Sequence, residues 1–156
     1  MTISVRRAVA ASVVAAAAAL TAMPAKAQTF INVLTGGTSG VYYPLGVALS
    51  EIYAGIEGAR TQVQATKASV ENLNLLQQGK GEIAFSLGDS VQEGWKGNTE
   101  AGFPGPLTKL RGIAAIYPNY IQIVASSESG IKSLADLKGR SLSVGAPASG
   151  TELNAR

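Results

Sequence analysis

An α/β fold on a parallel sheet is what the sequence predicts, and three observations carry the prediction. Short β-branched or apolar runs alternate with segments of helical periodicity between Phe30 and Trp95. Glycine punctuates the junctions, at Gly36-Gly37, Gly55, Gly58 and Gly79. Strand–helix–strand–helix–strand order closes as a parallel sheet with right-handed crossovers.

The elements follow in chain order. Phe30–Thr35 reads as a strand ended by two glycines. Val41–Ala54 reads as a helix, with Leu45, Ala48, Leu49 and Ile52 on one face and Pro44 tolerated only in its first turn. Gly55 and Gly58 close it. Thr61–Ala65 alternates Val63 and Ala65 with Gln62 and Gln64, a second strand. Ser69–Gln78 is a helix with Val70, Leu73 and Leu76 inward and Gly79 as its stop. Glu82–Leu87 is the third strand and Asp89–Trp95 a short helix. Gly94–Pro106 is loop chemistry, rich in Gly and Pro. Beyond it, Leu110–Ile116 and Ile121–Ala125 are apolar runs of the kind that form strands buried on both faces. Leu134–Gly139 is a helical turn and Ser141–Val144 a further strand. In such sheets a ligand sits at the carboxyl ends of strands, where the glycine-rich loops after Thr35 and Val144 are expected to lie.

Composition narrows the function. The 156 residues include no His and no Cys. That excludes disulfides, thiolate metal sites and the usual general base of hydrolytic triads, so neither a metal nor a cofactor is expected. Arg6-Arg7, the apolar run Ala8–Leu20 and the box Ala25-Lys26-Ala27 have the order of a cleavable secretory signal, predicting a mature start at Gln28 and export to the periplasm. The run falls short of the about 20 residues that span a bilayer. Of the 13 basic side chains, Arg6, Arg7 and Lys26 lie in this segment; the remainder holds 10 bases against 10 acids. Nothing in so balanced a chain suggests a nucleic-acid partner.

Two loops carry the candidate binding chemistry. Gly36-Gly37-Thr38-Ser39-Gly40-Val41-Tyr42-Tyr43-Pro44 places hydroxyls and backbone amides at a helix start, where an anion is favoured. An ordinary tight turn with capping accounts for it equally well. Gly145-Ala146-Pro147-Ala148-Ser149-Gly150-Thr151-Glu152 repeats the design, and Ser149 with Glu152 also makes a capping box. Thr66, Ser69 and Asn72 stand at a strand-to-helix junction, as caps or as ligand donors. Asp89 and Glu93 are spaced one helical turn apart, suiting either paired carboxylates or a helix N-terminal half. Trp95, Tyr117 and Tyr120 suit ligand stacking or packing. Ser129-Gly-Ile-Lys132 matches an acyl-serine spacing without its companion motifs.

Thr35–Gly46, then Gln64-Ala-Thr66 with Ser69-Val-Glu-Asn-Leu73, then Val144–Glu152 together resemble the TAXI family, the extracytoplasmic solute receptors of one TRAP transporter class. Leu134–Gly139 resembles the short element such proteins place before a crossover strand. The resemblance runs through nearly all of residues 30–156. It implies a two-lobed type II periplasmic binding protein that closes around a small organic anion, an amino acid such as glutamate or a dicarboxylate. It also implies delivery to the TRAP membrane subunits, driven by an ion gradient. The expected organisation is a signal peptide over 1–27, a first α/β lobe over 28–116, and the crossover with a truncated start of the second lobe over 117–156. Truncation is expected because family chains are longer and because the helix opening at Ser149 has only about one turn before Arg156, too little to sustain itself.

Ligand-binding residues on this reading are Gly37, Thr38, Ser39, Gly40, Val41, Tyr42, Tyr43, Thr66, Ser69, Asn72, Asp89, Ala146, Pro147, Ser149, Gly150 and Thr151, with Arg60 or a second-lobe residue as a further contributor. The sequence departs from the family at Lys67-Ala68, where Gly or small residues are the tendency, and at Ala148, where Gly is usual. The expected role is binding without catalysis. A periplasmic sensor of the same ligand, or a transferase or lyase on the same scaffold, are the alternatives.

Overall fold

The computed structural model describes residues 28–156; the expected signal peptide lies outside them. Three parallel strands form the sheet, β1 (Thr29–Leu34), β2 (Ala59–Gln64) and β3 (Ile83–Ala84), in the order β2-β1-β3. Helix α1 (Tyr42–Ala54) joins β1 to β2, α2 (Ser69–Gln77) joins β2 to β3, and α3 (Gly88–Lys96) follows β3. This is the α/β architecture the sequence predicts, consistent with a partial binding-protein lobe. β3 is shorter than expected as a ladder, yet Glu82 N–H donates to Asn32 O and Phe85 N–H to Leu34 O, so pairing extends past its ends.

The helix starts and stops obey local rules. Pro44 falls at the third position of α1, where its missing N–H costs nothing. The end of α2 turns through Gly79 at φ +71°, with Gly79 N–H bonded to Leu76 O and Lys80 N–H to Leu75 O. Of the expected inward face of α1, Leu45 and Leu49 are half-buried and the other two positions are corrected. Ile52 is exposed and so is Ala48, whereas Gly46 and Ser50 are buried against the sheet. A Cβ at Gly46 would lie 2.3 Å from Thr35 Cγ2 and 3.5 Å from a methyl of Val63. The helix therefore packs by a close backbone approach that only glycine permits, and that approach sets its rotation.

The glycine- and proline-rich segment after α3 is irregular, as expected, but it is not peripheral. Ala101, Phe103, Leu107 and Leu110 form one buried cluster with Val70 and Leu73 of α2. Gly97, at φ +73°, brings the chain back on itself: a Cβ there would stand 2.3 Å from Pro106 N. Gly94 O accepts from Leu107 N–H across the same crossing.

After Leu110 the character changes. Every residue from Arg111 to Glu128 is exposed and none is in a strand. The strands expected at 110–116, 121–125 and 141–144 are therefore corrected to an extended arm, interrupted by 3₁₀ turns at Ser127–Ser129 and Leu134–Leu137. Apolar, β-branched sequence describes fit to a half-buried pleated surface, and among the described residues none of the three strands pairs with these runs. The arm returns to the packed body at Ala148, and α4 (Gly150–Asn154) ends the ordered elements.

Candidate functional site

Successive crossovers place β2 on one side of β1 and β3 on the other. The carboxyl end of β1 is thus a topological switch point, the position where open α/β sheets leave a crevice for ligands. Thr35 and Gly36 occupy it from β1, Thr66 to Ala68 from β2, and Phe85 to Leu87 from β3.

Asn72 holds the three together. Its side chain is fully buried, and its amide donates to Thr35 O at 2.6 Å and to Phe85 O at 2.8 Å. Its Oδ1 accepts from the Thr66 hydroxyl at 2.6 Å. The Thr66 Oγ1 also lies 3.0 Å from Thr35 O and accepts from Ala68 N–H. The Thr35 hydroxyl donates to Gln64 O at 2.8 Å. Ser69, also buried, accepts from Leu87 N–H at 3.0 Å. Thr66, Ser69 and Asn72 therefore spend these groups on holding the edge of the sheet.

The glycine-rich loop after β1 forms the open rim. Gly37, Thr38, Ser39, Gly40 and Val41 are all exposed. Val41 precedes α1 with no side-chain cap, so the first-turn amides of Tyr42 and Tyr43 face the loop without one. A Cβ at Gly37 meets nothing within 4 Å. The glycine there is free of packing demands.

Tyr42 sits below that rim, stacked on Phe85 at 5.4 Å between centroids and tilted against Tyr117 of the arm at 6.5 Å. Tyr43 is half-buried beside it. Burial pushes the Tyr42 phenol up to about 12; the neighbouring Tyr117 and Asp89 add to the rise, while a hydrogen bond with Ser69 opposes it. The phenol is thus neutral and able to donate throughout the physiological range. Tyr42, Asp89 and Thr151 line an open concavity of about 1600 Å³ between the packed body and the arm, together with Phe85, Ser86 and Tyr117.

The second glycine-rich loop reaches the same edge. Ala148 O accepts from Glu71 N–H at 3.1 Å, and Gly150 lies against Ser69 and Leu87. Ser149 and Gly150 are buried; Ala146, Pro147 and Thr151 are exposed. Ser149 caps α4 by accepting from Glu152 N–H at 3.0 Å. The Glu152 carboxylate pairs with Arg156 at 2.8 Å, a partner the capping-box reading did not include.

The remaining sequence candidates have other partners. Asp89 Oδ1 accepts from Ser90 N–H. Glu93 accepts from Asn98 and Lys96, which lower its carboxyl below the usual range, Asn98 most. A carboxylate so held is a poor general base. The Ser129 hydroxyl donates to Ser126 O at 2.6 Å, closing a turn. Among the described residues no group of three His, Cys, Asp or Glu side chains is placed to hold a metal ion. Sequence reasoning missed Thr35, Phe85 and Leu87, which read as ordinary strand residues. The one available signal was their position, at strand ends directly preceding the loops.

The switch-point crevice, its uncapped rim and the parallel sheet define an α/β ligand-binding lobe of the periplasmic binding-protein type. The family comparison agrees: the model of the NMT1-like family matches residues 33–156, and the chain belongs to that family. No helix among the described residues is long and apolar enough to cross a membrane.

Proposed function

We propose that the chain is the extracytoplasmic solute receptor of a TRAP-type secondary transporter of the TAXI class. It binds a small organic anion, an amino acid such as glutamate or a dicarboxylate, and delivers it to the membrane subunits without chemical conversion. Residues 1–27 direct export and are removed, leaving Gln28 as the first residue of a periplasmic protein. The observation that carries the reading is the meeting of both glycine-rich loops at the switch point, with uncapped α1 amides on the open rim. The helix start these amides form favours a carboxylate by about 0.3–1 kcal/mol when exposed. The neutral Tyr42 phenol and the Thr38 and Ser39 hydroxyls add donors of about 0.5–1.5 kcal/mol each.

Calorimetric titration of the purified protein against glutamate, glutamine and dicarboxylates is the test. Saturable binding of one of these anions is expected. Gly37→Pro is expected to abolish it while leaving the unfolding midpoint nearly unchanged, because nothing packs on Gly37. Undiminished binding in that variant places the site elsewhere, and binding of sugars or cations in place of every anion defeats the reading.

A further inference from the structure

Two non-glycine residues among those described have positive φ, Ala68 at +73° and Ala148 at +64°. Both bear on one helix start. Ala68 is the N-cap of α2, with ψ −145°, a region otherwise almost reserved for glycine. Alanine has no side-chain acceptor, so the cap leaves the first-turn amides of α2 without one. The Glu71 amide is satisfied instead by the Ala148 carbonyl, supplied from the far end of the arm.

The seat of that carbonyl is tight. A Cβ at Gly150 would lie 2.5 Å from Leu87 Cδ1 and 2.7 Å from Ser69 Oγ. Ala148 and Leu153 pack against the Val70, Leu73 and Phe103 cluster, and Arg156 donates to Glu100 O. By contrast, the arm that brings the segment here is exposed over most of its length. A small, well-fitted segment therefore follows an arm that contributes little to holding it. Segments with few tethering contacts open below the free energy of global unfolding.

We propose that residues 145–156 form a latch with two states: seated, it caps α2 in trans through Ala148 O; released, it uncovers Ser69, Leu87 and the edge of the Val70–Phe103 cluster. Seating holds Ala148 in the left-handed region, so the seated state carries backbone strain that release relieves. The latch is a property of this chain's own contacts and stands whether or not the transported ligand is an anion.

Residue-resolved amide hydrogen exchange on the purified protein tests it. The Glu71 amide is expected to exchange faster than those of Val33 and Leu34 in the sheet core, through local release. Gly150→Leu, which overfills the seat, is expected to speed Glu71 exchange about tenfold or more with Val33 and Leu34 unchanged. Ala148→Gly, which removes the left-handed penalty, is expected to slow it about fivefold. Ala148→Val is expected to speed it. Glu71 rates that follow Val33 and Leu34 in every variant would make the segment an integral part of the fold and overturn the proposal. Rates that ignore all three substitutions would remove the contact itself.

Discussion

The packed body up to Leu110 and the arm that follows have similar apolar content and opposite fates. Val33 and Leu34 in β1 are fully buried, while Ile121 and Val124, drawn from the same residue types, are 73% and 90% exposed. The difference lies in the partners. β1 has a strand on each side and α1 brought close by Gly46, whereas residues 111–125 have no strand beside them among the described residues. A run of β-branched residues is an offer of a strand, and a neighbouring backbone edge is what accepts it.

The largest expected effect tests that contrast directly. Phe103→Ala in the buried cluster should cost about 3–5 kcal/mol, and Ile121→Ala in the arm no more than about 0.5 kcal/mol. Urea denaturation of both variants measures it. Equal losses would mean that the arm packs in solution as tightly as the body.

Next comes the clamp at the sheet edge. Asn72→Leu keeps the number of side-chain heavy atoms but is bulkier, leaves Phe85 O buried without its donor and leaves Thr35 O only the Thr66 hydroxyl. Unfolding should become easier by about 2–4 kcal/mol. A change below 1 kcal/mol would show that the three loops hold one another without Asn72.

The smallest effect sharpens the aromatic bridge that Tyr42 and Tyr117 make between the two regions. Tyr42 should ionise near 12, and Tyr42→Phe should remove that step from the ultraviolet titration. The sign of the linkage is set by the raised value. Folding holds the phenol neutral, so the contribution is complete below the unfolded value near 10 and is lost as pH climbs toward 12. Tyr117→Ala should lower the Tyr42 midpoint, since the arm supplies part of the rise. An unchanged midpoint would mean that Tyr117 does not reach Tyr42 in solution.

The body was legible in the sequence wherever periodicity and punctuation agreed. The α2 face of Val70, Leu73 and Leu76, the Gly79 stop and the β1–β3 order all followed from local pattern. The α1 face was only half legible: Leu45 and Leu49 are half-buried, but apolar periodicity also pointed to Ile52 while a close helix–sheet approach at Gly46 decided the rotation. The arm misled for the reason already given, since pairing is a non-local property. At the candidate site, the loops were found by composition, but the residues that fasten them were hidden among strand ends. Ala68 and Ala148 are the instructive pair. Each of the two departures from the family resemblance, Lys67-Ala68 and Ala148, includes one of the alanines held at positive φ.

The cap that Ala148 lends to Glu71 also sets an order of assembly. Protein synthesis delivers α2 long before it delivers the carbonyl that completes its first turn. Until then the Glu71 amide must be served by water, and the helix start is free to fray. The body can collapse around β1, β2 and Phe103 while this corner stays unfinished, because none of those contacts draws on residue 148. Residues that emerge much later thus finish one of the earliest helices, and that early element stays provisional until they arrive.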